Sequence, residues 1–197
     1  EDALMKCETP EKVLYCSRLQ YVDADLNVLG LSGVPDDTGF FNAVVENTAT
    51  GCTVVFGTEI KRRFLQAEPG AMIMHDWWLY LLASTFGKVI FDPRPSVLYR
   101  QHGNNVSEWK PRPSKIWNRI CSLGRRLQAG REGMDSLNQA RRLLDTYNDI
   151  PYEKRRIIDE LVSLRSAGFF KRLNYLMSVK VCRNDSVENA GLKFIIL

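Results

Sequence analysis

The chain has 197 residues, of which 45% are hydrophobic and 25% charged, and its net charge is +4. That length holds one domain, or one domain and a smaller appendage, and the apolar share is enough for a core. No stretch reaches the ~18 uninterrupted apolar residues of a membrane span, so no spanning helix is predicted.

The charge is unevenly placed. Residues 1–112 carry 11 Lys and Arg against 14 Asp and Glu, and residues 113–197 carry 16 against 9, so the two parts stand at −3 and +7. A basic second part suits an anionic surface such as phospholipid, nucleic acid or polyphosphate, although each basic cluster also reads as a solvated helix face. The 5 cysteines, Cys7, Cys16, Cys52, Cys121 and Cys182, form no C-x-x-C pair. This argues against a disulfide framework or a zinc ribbon and fits a reducing, cytoplasmic compartment. No signal peptide is predicted within these residues. The opening Glu1-Asp2-Ala3-Leu4-Met5-Lys6 has no initiator Met and reads like the middle of a helix, which predicts a piece of a longer protein.

In chain order, Thr9-Pro10 closes the opening helix, and Val13 to Leu19 is a β-rich run that predicts a buried strand. Asp23 and Asp25, an Asp-x-Asp pair, are assigned to a turn rather than to a metal site. Gly30 to Gly39 is a loop that either covers a pocket or merely connects. Phe40 to Glu46 predicts a short helix, Asn47 to Gly51 a polar turn, and Cys52 to Phe56 an extended segment. Thr58 to Ala67 predicts a helix with Ile60, Phe64 and Leu65 on one side and Lys61, Arg62 and Arg63 on the other. A further helix begins at His75-Asp76 and stops at Gly87. It is apolar almost all round, which predicts burial on several sides. Lys88 to Phe91 and Ser96 to Arg100 are two short strand candidates, separated by turn chemistry at Asp92-Pro93-Arg94-Pro95.

From Pro113 the pattern is helical. One helix capped by Ser114 carries Ile116, Trp117, Ile120 and Leu127. Met134 to Tyr147 aligns Leu137, Leu144 and Tyr147. Tyr152 to Leu164 aligns Ile157, Leu161 and Leu164, with Ile158 and Val162 beside them. Gly168 to Val181 carries Phe169, Phe170, Leu173, Leu176 and Met177 among basic residues. The ending, Leu192 to Leu197, is apolar for a terminus.

The chemistry-bearing residues cluster between positions 47 and 105. Asn47-Thr48-Ala49-Thr50-Gly51-Cys52 is followed by His75-Asp76-Trp77-Trp78, then by Tyr99-Arg100-Gln101-His102-Gly103-Asn104-Asn105, and His75 and His102 are the 2 histidines of the chain. An Asp at a helix start accepts backbone N–H bonds and faces the positive end of the helix dipole, which favours its charged form. Such a carboxylate is a weak base, useful when the alcohol proton leaves late, in concert with attack by the oxygen. Read from the residues alone, Asp76 is equally a helix cap and the tryptophans core.

The three motifs in this order and spacing resemble the C-terminal half of family 2 glycosyltransferases of the GT-A fold, most closely the bacterial rhamnosyltransferase-like members of surface-polysaccharide pathways. The resemblance covers about residues 1–112. It implies an α/β fold: the acceptor-side part of a GT-A nucleotide-diphospho-sugar transferase over residues 1–112, followed by a basic α-helical extension over 113–197. It implies Asp76 as the catalytic base, since the family motif reads Glu-Asp or His-Asp before an aromatic residue, as in His75-Asp76-Trp77. Trp77 or Trp78 would stack on a sugar ring, Gly51, Cys52 and His75 would border the substrates, and Arg100 and His102 would face the diphosphate, His102 as a metal ligand. The bland roles stand beside these: a loop glycine at Gly51, a packed thiol at Cys52, an ion-paired Arg100 and a loop-ordering His102.

The resemblance further implies a nucleotide-sugar donor, a saccharide or lipid-linked acceptor, and a divalent Mg or Mn ion in the intact enzyme. The family's nucleotide-binding first half has no counterpart in residues 1–197, which are expected not to transfer sugar alone. A peripheral position at an anionic membrane surface suits the basic helices, and an open sheet edge invites a homodimer. The alternative class is a non-catalytic helical module for protein interaction or membrane docking. Nucleic acid is not expected as a partner, because no recognition motif accompanies the basic residues.

Overall fold

The computed structural model describes residues 7–68, 72–102, 136–164, 167–178, 181, 183, 184, 189, 192 and 193. The elements run β1 (Val13–Val22), β2 (Val28–Leu31), α1 (Phe40–Ala43), β3 (Val55–Phe56), α2 (Thr58–Phe64), α3 (His75–Phe86), β4 (Lys88–Arg100), α4 over residues 136–146, α5 (Tyr152–Ser163) and α6 (Phe169–Ser178). The result is mixed α/β, with a small open four-stranded mixed sheet and several helices.

The apolar run from Val13 forms the central strand β1, with Val13, Leu14, Cys16, Leu19 and Val22 all buried. Burial pushes the Cys16 thiol up to about 12, so it packs as a small neutral apolar group. β4 pairs with β1 in parallel from Val13↔Lys88 to Val22↔Arg100. β3 pairs antiparallel at Leu14 and Tyr15, and β2 pairs antiparallel from Gln20 to Val22. A strand has two edges and β4 takes one along its whole length, so β2 and β3 share the other, end to end. Between them the ladder of β1 is completed by loop side chains. Thr53 Oγ1 accepts from Ser17 N at 3.3 Å, and Ser32 Oγ accepts from Leu19 N at 2.9 Å.

Several expected boundaries shift. The two short strands after Gly87 are one strand. β4 spans 13 residues against 10 in β1, and bulges opposite Ser17 to Leu19 absorb the difference. Pro93 and Pro95 fall in this stretch, and prolines in sheets are confined to edge strands and bulges. The helix expected over Phe40 to Glu46 ends at Ala43, and Gly51–Thr53 forms a 3-10 turn ahead of the two-residue β3. Asp23 does form a turn: its carboxylate accepts from Asp25 N, Asn27 N and Asn27 Nδ2, while Leu26 adopts φ 68°.

Helix α3 is the core of the molecule, with every residue from Asp76 to Thr85 buried. Gly87 follows its last turn as the C-cap, and nothing larger fits there: a Cβ would lie 1.8 Å from the Lys12 carbonyl oxygen. Lys154 of α5 donates to Ser84 O and Thr85 O at 2.8 Å each and so caps the last turn of α3. Ala140, Leu143 and Tyr147 of the α4 segment pack into the same core, as do Ile150, Ile158, Leu161 and Leu164, with Leu137, Leu144, Ile157 and Val162 partly buried around them. The described helices after the expected boundary at 112/113 therefore share the core of the first segment. The boundary itself and the helix expected from Ser114 lie outside the described residues.

Arg63 joins the two parts. The helical pattern puts it on the solvent face with Leu65 buried, and the structure reverses both: Arg63 is buried and Leu65 is 70% exposed. The Arg63 guanidinium grips Asp149 through Nη1 and Nη2 at 3.0 and 2.6 Å, bonds Glu59, and lies 3.6 Å over the Phe86 ring. A bidentate, stacked guanidinium satisfies its donors while its stem covers apolar surface. Arg63→Ala is expected to lower unfolding stability by about 2 kcal/mol in urea melts at neutral pH. Glu59 is held low, at about 2, first by Arg62 and then by Arg63, and Asp149 is lowered by Arg63. Folded values below the unfolded ones give stability that is present above pH 4.5 and lost as pH falls towards about 2. The gap between wild type and Arg63→Ala narrows across that window.

Candidate functional site

The site is built where the N-terminus of α3 meets the gap in the β1 edge. His75 is the first residue of α3 and Asp76 the second, after Met74 as N-cap. Met74 supplies no side-chain cap. The Asp76 carboxylate turns instead to the loop over residues 47–51. Its Oδ1 accepts from Trp77 N at 2.8 Å and from Asn47 Nδ2 at 3.0 Å, and its Oδ2 accepts from Gly51 N at 3.0 Å. A carboxylate has about four acceptor directions. Three are taken by described residues, which among these leaves one on Oδ2. Asp76 is therefore both a helix-start residue and the latch of a loop, held in one orientation.

Gly51 is where that loop comes closest to α3. A methyl group on it would stand 2.8 Å from His75 Nε2 and 3.5 Å from Asp76 Oδ2. Its φ is not positive, so the glycine is required for proximity and not for backbone shape. Of the residues expected in the site, Gly51, Cys52, His75 and Asp76 are thus brought together. Cys52 is exposed rather than packed, and desolvation, then the Asp76 carboxylate, push its thiol up. It is held as a thiol, the form that is a weak nucleophile.

Trp77 and Trp78 are corrected. Both rings lie in the core, at 6% and 0% exposure. Trp77 Nε1 donates to Ala43 O at 2.8 Å, and Trp78 lies 6.4 Å from the Tyr147 ring. Exposing about 200 Å² of indole costs about 5 kcal/mol at 25 cal/mol per Å², more than the ~1 kcal/mol an aromatic stack returns. Neither ring offers a face to a sugar.

Arg100 and His102 stand elsewhere. Thr53, two residues from Gly51, bonds β1 at Ser17, whereas Arg100 pairs with Val22 and Gln101 N donates to Val22 O at 2.8 Å. Five strand residues separate the two levels, about 17 Å. His102 is exposed beyond that point. Among the described residues no group of three or more His, Cys, Asp or Glu side chains could hold a metal ion. His102 supplies one ligand there, so the described residues do not fit a divalent ion, and no step below runs through one.

Beside Asn47 an open cavity of about 670 Å³ occupies the gap in the β1 edge, a size suited to a small ligand. Ser17, Arg18, Ser32, Asn47, Thr48 and Thr50 give it a polar lining, and Phe91 an aromatic one. Arg18 is its cation, held by Nε donating to Ser32 O. Gly33, Val34 and Pro35 line it too, so the Gly30 to Gly39 loop does border a pocket. No family model, curated protein or solved structure matches this chain. Its chemistry is therefore read from the geometry.

Sequence reasoning placed Asn47 in the motif but gave it no role. It assigned no role to Arg18, Ser32 or Asn184, which also line the cavity. Asn47 was detectable as the first residue of the polar turn that ends at Gly51. The others carry no local signal, because they meet the site through folding alone.

Asp76→Asn is expected to cost about 1–2 kcal/mol of stability, read by urea unfolding. The new amide NH2 must face an N–H donor whichever way it turns, Gly51 N on one side or Trp77 N and Asn47 Nδ2 on the other. A variant as stable as wild type would show that these bonds do not hold the loop.

Proposed function

We propose that this chain carries the acceptor side of an inverting glycosyltransferase of the GT-A type, with Asp76 as the general base for the acceptor hydroxyl. One observation carries the reading: the Asp76 carboxylate, itself 6% exposed and behind the cavity lining, is fixed by three donors, keeps one acceptor direction on Oδ2 among the described residues, and is tied through Asn47 to the wall of an open polar cavity.

Transfer with inversion needs an acceptor hydroxyl aimed at the anomeric carbon and a base to take its proton as the new bond forms. Asp76 supplies an oriented oxygen and a rigid mount at the end of a buried helix. The hydroxyls and amides of the cavity suit a polyhydroxylated acceptor, and Arg18 and Glu46 give the lining one cation and one carboxylate. The donor is a nucleotide-sugar and the acceptor a saccharide or a lipid-linked saccharide.

The test is hydrolysis of a panel of UDP-, GDP- and dTDP-linked sugars, with Mn²⁺ or Mg²⁺, by the whole gene product. Asp76→Asn is expected to lower kcat at least about 100-fold per folded molecule, a general base being worth roughly 10²–10⁴. Normalising to the folded fraction removes the stability loss expected of the same substitution. Equal turnover by variant and wild type would end the assignment of Asp76.

A further inference from the structure

The wall of the cavity includes, and is held by, a residue more than a hundred positions away. Asn184 lies in the C-terminal segment, between buried Arg183 and residues that lie outside the description. Its backbone N and its Nδ2 each donate to Glu46 Oε2 at 2.9 Å, and Nδ2 also reaches Asp37 O at 3.2 Å and Thr48 Oγ1 at 3.4 Å. Its Oδ1 accepts from Asp37 N at 2.9 Å. Glu46 and Thr48 flank Asn47, whose amide holds Asp76.

The same tripeptide is braced from the inside by the core. Thr48 Oγ1 donates to Asn42 Oδ1 at 3.0 Å, Asn42 Nδ2 donates to Glu46 Oε2, and Tyr80 of α3 donates to Asn42 Oδ1 at 2.9 Å. Asn42 is fully buried, so these bonds form in a low dielectric where a misplaced partner is costly. Residues 46–48 thus sit between two sets of hydrogen bonds, one from α3 and one from Asn184. The loop they belong to forms no regular element of its own, so these bonds fix its path.

We infer that Asn184 is a positioning residue of the site: by clamping Glu46 and Thr48 it sets where the Asn47 amide meets Asp76, so the cavity and the Asp76 carboxylate are completed by the C-terminal segment. That Asp76 acts as a base rests on the function proposed above; the clamp itself does not. Asn184 acts through Asn47 and touches no reacting atom.

Two measurements on the whole gene product separate the clamp from the enzyme reading. The first needs no activity: amide hydrogen exchange over residues 46–51 in wild type and Asn184→Ala. Protection is expected to fall at least about tenfold at Gly51 N, whose partner is Asp76 Oδ2. Unchanged protection overturns the inference. The second is a double-mutant cycle in kcat for hydrolysis of whichever nucleotide-sugar of the panel turns over. Asn184→Ala and Asn47→Ala are each expected to lower kcat about tenfold with KM moved less than about twofold, and the double variant to fall no further than Asn47→Ala alone. Fully additive losses would place Asn184 in a merely structural role and overturn the inference. Should Asn184→Ala fail to fold, Asn184→Ser, with a smaller polar side chain, takes its place in both measurements. If no nucleotide-sugar turns over, the glycosyltransferase reading fails, and the exchange result alone decides the clamp.

Discussion

The structure depends on the complete burial of one helix. α3 has no solvent face from Asp76 to Thr85, so most elements find a place around it. The sheet covers one side, and α2 with the α4 and α5 segments covers others. Burial on all sides leaves the helix ends as the places where its polar backbone must be satisfied. At the C-terminus Lys154 does this, and desolvation lowers its pKa as it reaches in. At the N-terminus the loop over residues 47–51 comes to Asp76. The site is therefore a consequence of how a buried helix is terminated.

The sheet contributes an interruption. Because β2 and β3 occupy one edge of β1 at its two ends, the middle of that edge is free for side chains and for a cavity. The opposite edge bulges at the same level, where Ser17 meets Ser96 and Asp92 takes hydrogen bonds from Tyr15 and Arg94. Bulges commonly sit beside functional sites, since they alter strand twist and redirect side chains. On the outer edge of β4, Pro93, Arg94 and Pro95 interrupt the row of backbone groups that another strand would need.

The helical part is less an appendage than its composition suggests. Its basic residues do structural work at particular points: Lys154 caps α3, and Arg155 donates to Tyr147 O at 2.9 Å. Arg63, from the acidic first part, reaches across to Asp149. What remains solvent-facing includes Phe169 and Phe170, at 57% and 85% exposure. Among the described residues no helix is long and apolar enough to cross a membrane.

The sequence by itself determined the central strand, the buried helix, its stop at Gly87, and the grouping of Asp76 with Gly51 and His75. These follow from patterns carried by neighbouring residues: an apolar run, an all-round apolar helix, an acid at a helix start, a glycine in a polar turn. It did not determine that β4 is one strand, since its prolines imitate a turn and only a partner strand shows a bulge for what it is. It placed Arg63 in solvent, because a helical wheel does not know that Asp149 and Phe86 will meet the guanidinium. It offered Trp77 and Trp78 to a sugar, because an aromatic residue beside an acid looks the same in a core as on a surface. It brought Arg100 and His102 to Asp76 by nearness along the chain, whereas strand register places Arg100 at Val22, about 17 Å along β1 from where Thr53 meets Ser17. Asn184 was beyond its reach altogether. Contacts between distant segments depend on how the core closes, and that is decided by tertiary packing.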